Sequence, residues 1–375
     1  MTSAADAVVD LDLDLDAESG ARARLPALPN LKDFSRPALR DRIEAAGFPT
    51  YRADQIADWL YKHDVSEPAA MTNLPADLRA HLESHYEGRA LEVERVQRSV
   101  DGTRKLLLRA RDGAAIEAVL IPEERRNTLC VSTQVGCPLA CSFCATGALG
   151  FTRNLRVSEI IDQVLHARAA LDEDETLTNI VFMGMGEPLL NLPAVSESVR
   201  LLTDPKAFAM APRRVTVSTS GIVPKIRPLL ELGPINLAIS LHATTDAVRD
   251  VLVPLNRRFP LAELLQALRD EPLITKKRPV FFEYTLMKDV NDSVADARRL
   301  RKLLEGIPAK VNVIPMNPHP DAIEQPPSDA VVDRFTAELH ESGMRVTLRR
   351  NRGRDIDAAC GQLAGREPGG SAEGG

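Results

Sequence analysis

Four of the chain's five cysteines fall within fifteen positions, in "CVSTQVGCPLACSFCATG" from Cys130 to Gly147. Cys137, Cys141 and Cys144 form a C-x3-C-x2-C pattern with Phe143 just before the last, and the fifth cysteine stands alone at Cys360. An odd number gathered mostly in one loop is no disulfide framework. In a reducing compartment it points to metal or redox chemistry. Three thiolates from one loop can hold three irons of a 4Fe-4S cube. The fourth iron is then free to chelate the amino and carboxylate groups of a small molecule. Gly136, Pro138 and Gly147 suit a backbone that wraps closely around such a cluster. Three other readings compete. A structural zinc site needs a fourth ligand, here Cys130 or a distant histidine, and favours paired C-x2-C spacing. A ferredoxin needs a fourth cysteine per cluster. Plain buried cysteines are the third, although three in eight residues would be an unusual accident.

The remainder of the chain must position that loop. Its 375 residues, 44% of them apolar, suffice for a sizeable core and suggest one large domain with smaller attachments. No run of about eighteen apolar residues is present, so no membrane span is expected. The N-terminus lacks a basic region followed by an apolar stretch, so no secretory signal is expected, and the location is read as cytoplasmic. The net charge of -6 conceals an uneven distribution. Residues 1–20 hold six acids (Asp6, Asp10, Asp12, Asp14, Asp16, Glu18) and no base. Basic clusters lie elsewhere, as "RRNRGR" at 349–354, "KKR" at 276–278, and "RR" at 125–126 and 213–214. Such clusters are either solvated faces or contacts to RNA.

Five segments are expected. Residues 1–30 read as a disordered acidic tail. Residues 31–98 read as a helical accessory domain expected to bind RNA: "SRPALRDRIEAAG" has Ser35 as a cap and Gly47 as a stop, and "RADQIADWLYKH" and "PADLRAHLESHY" follow the same logic. Residues 99–126 form a β-rich extension, a hairpin turning at Asp112-Gly113. Residues 127–365 alternate strand-like runs ("TLCVST", "NIVFMG", "RVTVSTS", "INLAISLH", "VFFEYTLM", "KVNVIPMN", "RVTLRR") with helical patterns such as "VSEIIDQVLHARAAL" and "LAELLQALRD". That alternation predicts an α/β fold, a partial (β/α)6 barrel built on a parallel sheet. Residues 366–375 read as a flexible tail. In βα architectures chemistry sits at the C-terminal strand ends. Gly186-Glu187, Ser218, Ser240 to His242, and Asn317 each follow or end an apolar run, as does the cysteine loop.

At these residues a resemblance becomes plain. The cysteine loop resembles that of the radical S-adenosylmethionine (SAM) enzymes, in which the open iron binds SAM and one electron cleaves it to a deoxyadenosyl radical. "GMGEP" (184–188) resembles the loop contacting the methionine amino group, while "STSG" (218–221) and "SLHA" (240–243) resemble segments lining the nucleoside. A closer match, over roughly residues 30–365, joins the cysteine loop to "GFTRNLRVSEI", "FMGMGEPLLN", "IPMNP" and "RGRDIDAACGQLAG". Together these resemble the RlmN family, dual-specificity methyltransferases acting on carbon 2 of an adenosine in 23S ribosomal RNA and in certain transfer RNAs. Met316 stands where an aromatic residue is expected beside Asn317.

The resemblance implies a role for every cysteine. Cys137, Cys141 and Cys144 are expected to hold the 4Fe-4S cluster, Cys360 to carry a methyl group, and Cys130 to resolve a protein–RNA adduct through a transient disulfide. Glu117, in "AIEAVLIP", matches a carboxylate assigned as proton acceptor, with the Cys130 thiol as its rival. Gly186, Glu187, Ser218, Ser240, Leu241, His242 and Asn317 are expected to bind SAM, two molecules per turnover. The expected partners are 23S rRNA and tRNA, a flavodoxin-like one-electron reductant and a disulfide reductant, with no membrane, for a monomeric enzyme. The rival readings are a methyltransferase of adenosine carbon 8 like the Cfr enzymes, a radical SAM activase, and a zinc RNA-binding module without catalysis.

Overall fold

The structure, a computed structural model, describes residues 28–319, 322–349 and 352–365. Residues 1–27 of the acidic tail expected at 1–30, and the tail expected at 366–375, lie outside the described residues; Asn30 is buried and accepts from the Lys32 amide at 2.9 Å, so the ordered module already includes it. The helical module is present as α1 (Arg36–Ala45), α2 (Tyr51–Tyr61) and α3 (Ala76–His85). Ser35 caps α1 by accepting from the Ala38 amide at 3.3 Å. The span assigned to this module ends differently from the expectation. Leu91–Arg98 is a strand, β1, so β structure begins before residue 99. Its alternation is blurred because most of it faces solvent, which hid it from a reading based on apolar periodicity.

Strands β2 (Arg104–Ala110) and β3 (Ala115–Glu123) form the hairpin foreseen at Asp112-Gly113, with Arg109 opposite Ala115. They lead antiparallel into β4 (Arg126–Cys130). Two short strands, β5 (Gln134–Gly136) and β6 (Phe151–Asn154), pair separately and pinch the two ends of the cysteine loop, which contains α4 (Ala145–Ala148). From β4 onward every pairing in the main sheet is parallel and in chain order: β7 (Leu177–Phe182), β8 (Val215–Thr219), β9 (Asn236–Ser240), β10 (Val280–Leu286), β11 (Ala309–Pro315) and β12 (Val346–Leu348). Seven parallel strands joined by six crossovers make the expected (β/α)6 arrangement, and among the described residues β1 and β12 do not pair, so the barrel is open.

The crossover helices are α5 (Val157–Ala169), α6 (Leu192–Thr203), α7 (Val223–Leu230), α8 (Asp246–Leu252), α9 (Leu261–Asp270), α10 (Val294–Leu303) and α11 (Asp329–Glu341). α9 shows how sequence sets packing. Leu261, Leu264, Leu265 and Leu268 recur at helical spacing and are all buried. Each such burial contributes about 1.5–3 kcal/mol. Among the described residues no helix is long and apolar enough to cross a membrane.

α5 is buried on nearly all sides because the helical module covers its outer face. The join is polar. Lys32 and Asp162 form an ion pair at 3.1 Å with neither side chain exposed. Asp33 accepts from the Ser158 amide at 2.9 Å, and Glu87 pairs with Arg156 at 2.7 Å.

Candidate active site

The C-terminal ends of the parallel strands open into one cavity. Its wall includes Cys137, Cys141, Cys144, Gly186, Glu187, Ser218, Ser240, His242, Asn317 and Cys360. Residues spread over more than two hundred positions are thus brought together because each lies at or just beyond a strand end.

Backbone geometry shapes the cysteine loop. Gly136 has φ +74°, and a Cβ there would stand 1.9 Å from the Gly150 carbonyl, so only glycine allows the two loop ends to meet. Cys137 donates its amide to that same carbonyl at 2.8 Å. The loop is also stitched to the Cys360 segment: the Ala145 amide donates to the Gly361 carbonyl at 2.8 Å, and Thr146 Oγ1 donates to the Leu363 carbonyl at 2.6 Å. All three loop cysteines line this cavity. Among the described residues no three metal-ligating side chains converge on a point suited to a single ion. Three cysteines of one loop on the wall of one cavity are the donor set that a multi-iron cluster with one open iron would use. Burial pushes all three thiols up, and mutual repulsion adds to this at Cys137 and Cys141. A positively charged cluster is what would draw off their protons.

Glu187 follows β7 and is buried. Its carboxylate accepts from the Leu189 amide at 3.0 Å and the Ser220 amide at 2.8 Å, tying the ends of β7 and β8 together. Burial raises its pKa, against those two hydrogen bonds. Gly186, at φ +99°, lets this loop lie on Gln134, whose Cβ would be 2.5 Å from a side chain there. Ser218 donates to the Phe182 carbonyl at 3.0 Å. Leu241 is fully buried and does not line the cavity; its amide donates to the Glu283 carbonyl at 3.0 Å.

His242 adopts φ +57° and packs edge-on against Phe143 at 4.8 Å. Its Nδ1 accepts from the Thr285 amide at 3.1 Å, which leaves Nε2 carrying the proton. Burial, with the charge of Arg249 behind it, pushes the imidazole down to about 3, so it is neutral.

Cys360 is exposed to the cavity, yet protein surrounds it, and that desolvation pushes its thiol up while Arg349 pulls it back. Cys130, at the end of β4, is buried, and its thiol is pushed up to about 12 by burial and then by the nearby charge of Cys360. Both cysteines are free. Asn317 donates to the Cys360 carbonyl at 3.2 Å, and its Oδ1 has no partner among the described residues.

Glu117 does not line the cavity. It pairs with Lys105 at 3.0 Å and accepts from the amides of Ala364 and Gly365 at 2.8 and 3.1 Å. Its carboxylate therefore clamps the segment that carries Cys360.

Sequence reasoning missed Arg249 and Glu283, and saw Arg349 only as the first residue of the basic cluster at 349–354. Arg249 on α8 is fully buried and donates to the carbonyls of Leu241, Ser220 and Ser240 at 3.0, 2.6 and 3.1 Å. It binds the ends of β8 and β9 into one rim. A single arginine in a short amphipathic helix gives no signal of this. Glu283 and Arg349 line the cavity from β10 and from just after β12.

Comparison with known proteins agrees with this geometry. The family model for the radical SAM superfamily matches residues 131–301, and that for the ribosomal RNA large subunit methyltransferase N-terminal domain matches residues 29–87. A dual-specificity RNA methyltransferase RlmN from Geotalea uraniireducens is 48% identical over 90% of this chain and 97% of its own length. One from Sorangium cellulosum is 47% identical over 86% of this chain and 92% of its own. A crystal structure of a radical SAM methyltransferase from Sphaerobacter thermophilus is 45% identical, covers 90% of this chain and all of its own, and superposes with a TM-score of 0.86.

Proposed function

The chain belongs to the RlmN family of radical SAM methyltransferases, and from that premise we propose that it methylates carbon 2 of an adenosine in 23S ribosomal RNA and in certain transfer RNAs. One observation carries the reading. A solitary cysteine from the far end of the chain, Cys360, faces the same cavity as the three loop cysteines, with Cys130 as its electrostatic neighbour.

Cys137, Cys141 and Cys144 are the cluster ligands. Gly186, Glu187, Ser218, Ser240, His242 and Asn317 form the SAM pocket, His242 with Nε2–H as a donor, while Leu241 lies behind them with its amide and carbonyl already engaged by Glu283 and Arg249. When bound, the cluster and two SAM molecules supply a methyl group and a hydrogen-abstracting radical. Carbon 2 of adenine lies between two ring nitrogens and is electron-poor, so it does not attack a sulfonium methyl. Cys360 therefore gives up its thiol proton and takes the methyl by displacement; after that S-methyl group has lost one hydrogen atom its carbon bonds carbon 2, leaving a covalent protein–RNA adduct that would return one electron to the cluster and lose the carbon 2 proton. Cys130, as a thiolate, attacks the Cys360 sulfur; the S–CH2 bond breaks with its electron pair left on the RNA side, where the CH2 carbon takes a proton to become the product methyl, and a disulfide forms. Removal of the carbon 2 proton falls to Cys130 or Glu117. Glu117 serves only after the amides of Ala364 and Gly365 let go, which makes its first role that of a clamp. The substrates are RNA, with an external one-electron reductant and a disulfide reductant as partners.

Mass spectrometry after incubation with reduced cluster and SAM is expected to find one extra methyl on Cys360. Fragment mapping of the RNA is expected to place the product methyl on carbon 2, and a methyl on carbon 8 would assign the Cfr-type reaction instead. An unmodified Cys360 would overturn the mechanism.

A further inference from the structure

Two charged residues of the cavity wall have no part in the steps above. Glu283 lies on β10, directly opposite Ser240 on β9 and Asn312 on β11. It is 4% exposed. Its Oε1 accepts from Asn312 Nδ2 at 2.7 Å, while its buried Oε2 has no hydrogen-bond partner among the described residues. A buried carboxylate oxygen left unpaired is costly, and it demands a donor. Arg349 leaves β12 with its amide donating to the Val313 carbonyl at 2.8 Å. The charge of Glu283 raises the pKa of its guanidinium, against burial, with the thiols of Cys360 and Cys130 adding to the pull. The wall thus offers an acceptor, a donor and a reactive sulfur to one cavity.

Adenine carries the matching series along one edge. The 6-amino group is a donor, N1 is an acceptor, and carbon 2 is bonded to N1. We propose that Glu283 and Arg349 read this edge of the target adenosine, Glu283 Oε2 accepting from the 6-amino group and Arg349 donating to N1, so that carbon 2 comes to Cys360. Guanine and hypoxanthine reverse both contacts, setting a carbonyl against the carboxylate and an N1–H against the guanidinium, and leave buried polar groups unpaired. A base gripped along this edge cannot be paired, so the contact requires the nucleotide to be out of its helix. The inference rests on the function proposed above and adds the contacts that select the base. SAM also carries an adenine with the same edge, so the test must separate the two nucleosides.

The test is a competition, in one reaction, between RNA with adenosine at the target position and RNA with purine riboside there, which keeps N1 and carbon 2 but lacks the amino group. The wild type is expected to prefer adenosine by roughly tenfold or more. Glu283→Gln places an NH2 donor where Oε2 stood, and Glu283→Ala removes the acceptor; both are expected to bring the ratio near one. A general loss of activity cancels in the ratio, and melting curves confirm that each variant is folded. Variants that keep the wild-type preference would overturn the proposal. A raised KM for SAM in Cys360 methylation, with the RNA preference unchanged, would move Glu283 to the cofactor's nucleoside and overturn it equally. A wild type that puts no methyl on Cys360 fails at the underlying reading, and the proposal falls with it.

Discussion

The side-chain amide of Asn317 donates to the backbone carbonyl of Cys360 at 3.2 Å. A residue at the end of β11 thereby holds the segment that bears the lone cysteine, while its Oδ1 remains open for a ligand. The proposed cofactor pocket and the proposed methyl carrier thus meet in one side chain.

Asn317→Ala removes the tether and the open acceptor together. The lost hydrogen bond is worth about 1 kcal/mol, so the fold survives. Displacing a reacting sulfur by about 1 Å can cost 10²-fold in rate. A time course of Cys360 methylation by mass spectrometry is expected to slow by tenfold or more, with a melting temperature within a few degrees of the wild type. Unchanged methylation would show that the segment holds its place without Asn317.

Glu117 yields a sharper pair of variants. Glu117→Ala strands the buried Lys105 and frees the amides of Ala364 and Gly365. Breaking such a pair on one side costs about 3–5 kcal/mol. Lys105→Met combined with Glu117→Ala removes the stranded cation and is expected to recover much of that stability in urea melts. It does not restore the clamp, so Cys360 methylation stays slow. Full recovery of both would reduce Glu117 to a counter-ion.

Much of this architecture is legible in the amino acids. The parallel strands announce themselves as apolar runs because strands covered on both faces need no polar alternation; β10 is buried along almost its whole length. The cysteine loop is legible because its spacing serves few other purposes. β1 is not, since an exposed edge strand obeys no apolar rhythm. Nor are the links across the barrel. Nothing in "TRKLLLRA" or "AIEAVLIP" says that Lys105 and Glu117 hold the far end of the chain, and no local pattern marks Glu283, whose meaning comes from its neighbours on β9 and β11.

His242 gives a pH dependence with a definite sign. Its pKa in the folded protein is about 3, against about 6.5 when unfolded. The folded state binds this proton less readily, so the stabilisation is complete above pH 6.5 and is lost as pH falls from there toward 3. The loss attributable to this one group is on the order of 3–5 kcal/mol at the acid end. Urea midpoints measured from pH 7 to pH 4 are expected to fall more steeply for the wild type than for His242→Asn, which lacks the titrating ring. Parallel slopes would mean that the imidazole is solvated and titrates normally.

The ion pair between Lys32 and Asp162 ties the helical module to the barrel, and its burial makes the consequence predictable. Lys32 also donates to Ser66 Oγ at 3.0 Å and the Gly88 carbonyl at 3.3 Å, and Asp162 Oδ2 accepts from the amides of Ala90 and Leu91 at 2.6 and 3.1 Å. Asp162→Ala therefore strands a cation and two amides at the joint, at a cost of about 3–5 kcal/mol. Lys32→Met added to it removes the cation, and the two losses are expected to sum to less than their separate values by about 1 kcal/mol or more. The functional effect should divide along the same joint. On the expectation that the helical module grips RNA while Cys360 methylation is a step of the barrel, Asp162→Ala is expected to keep Cys360 methylation and to lose RNA methylation. Equal losses in both half-reactions would show that the module supports the barrel rather than the RNA.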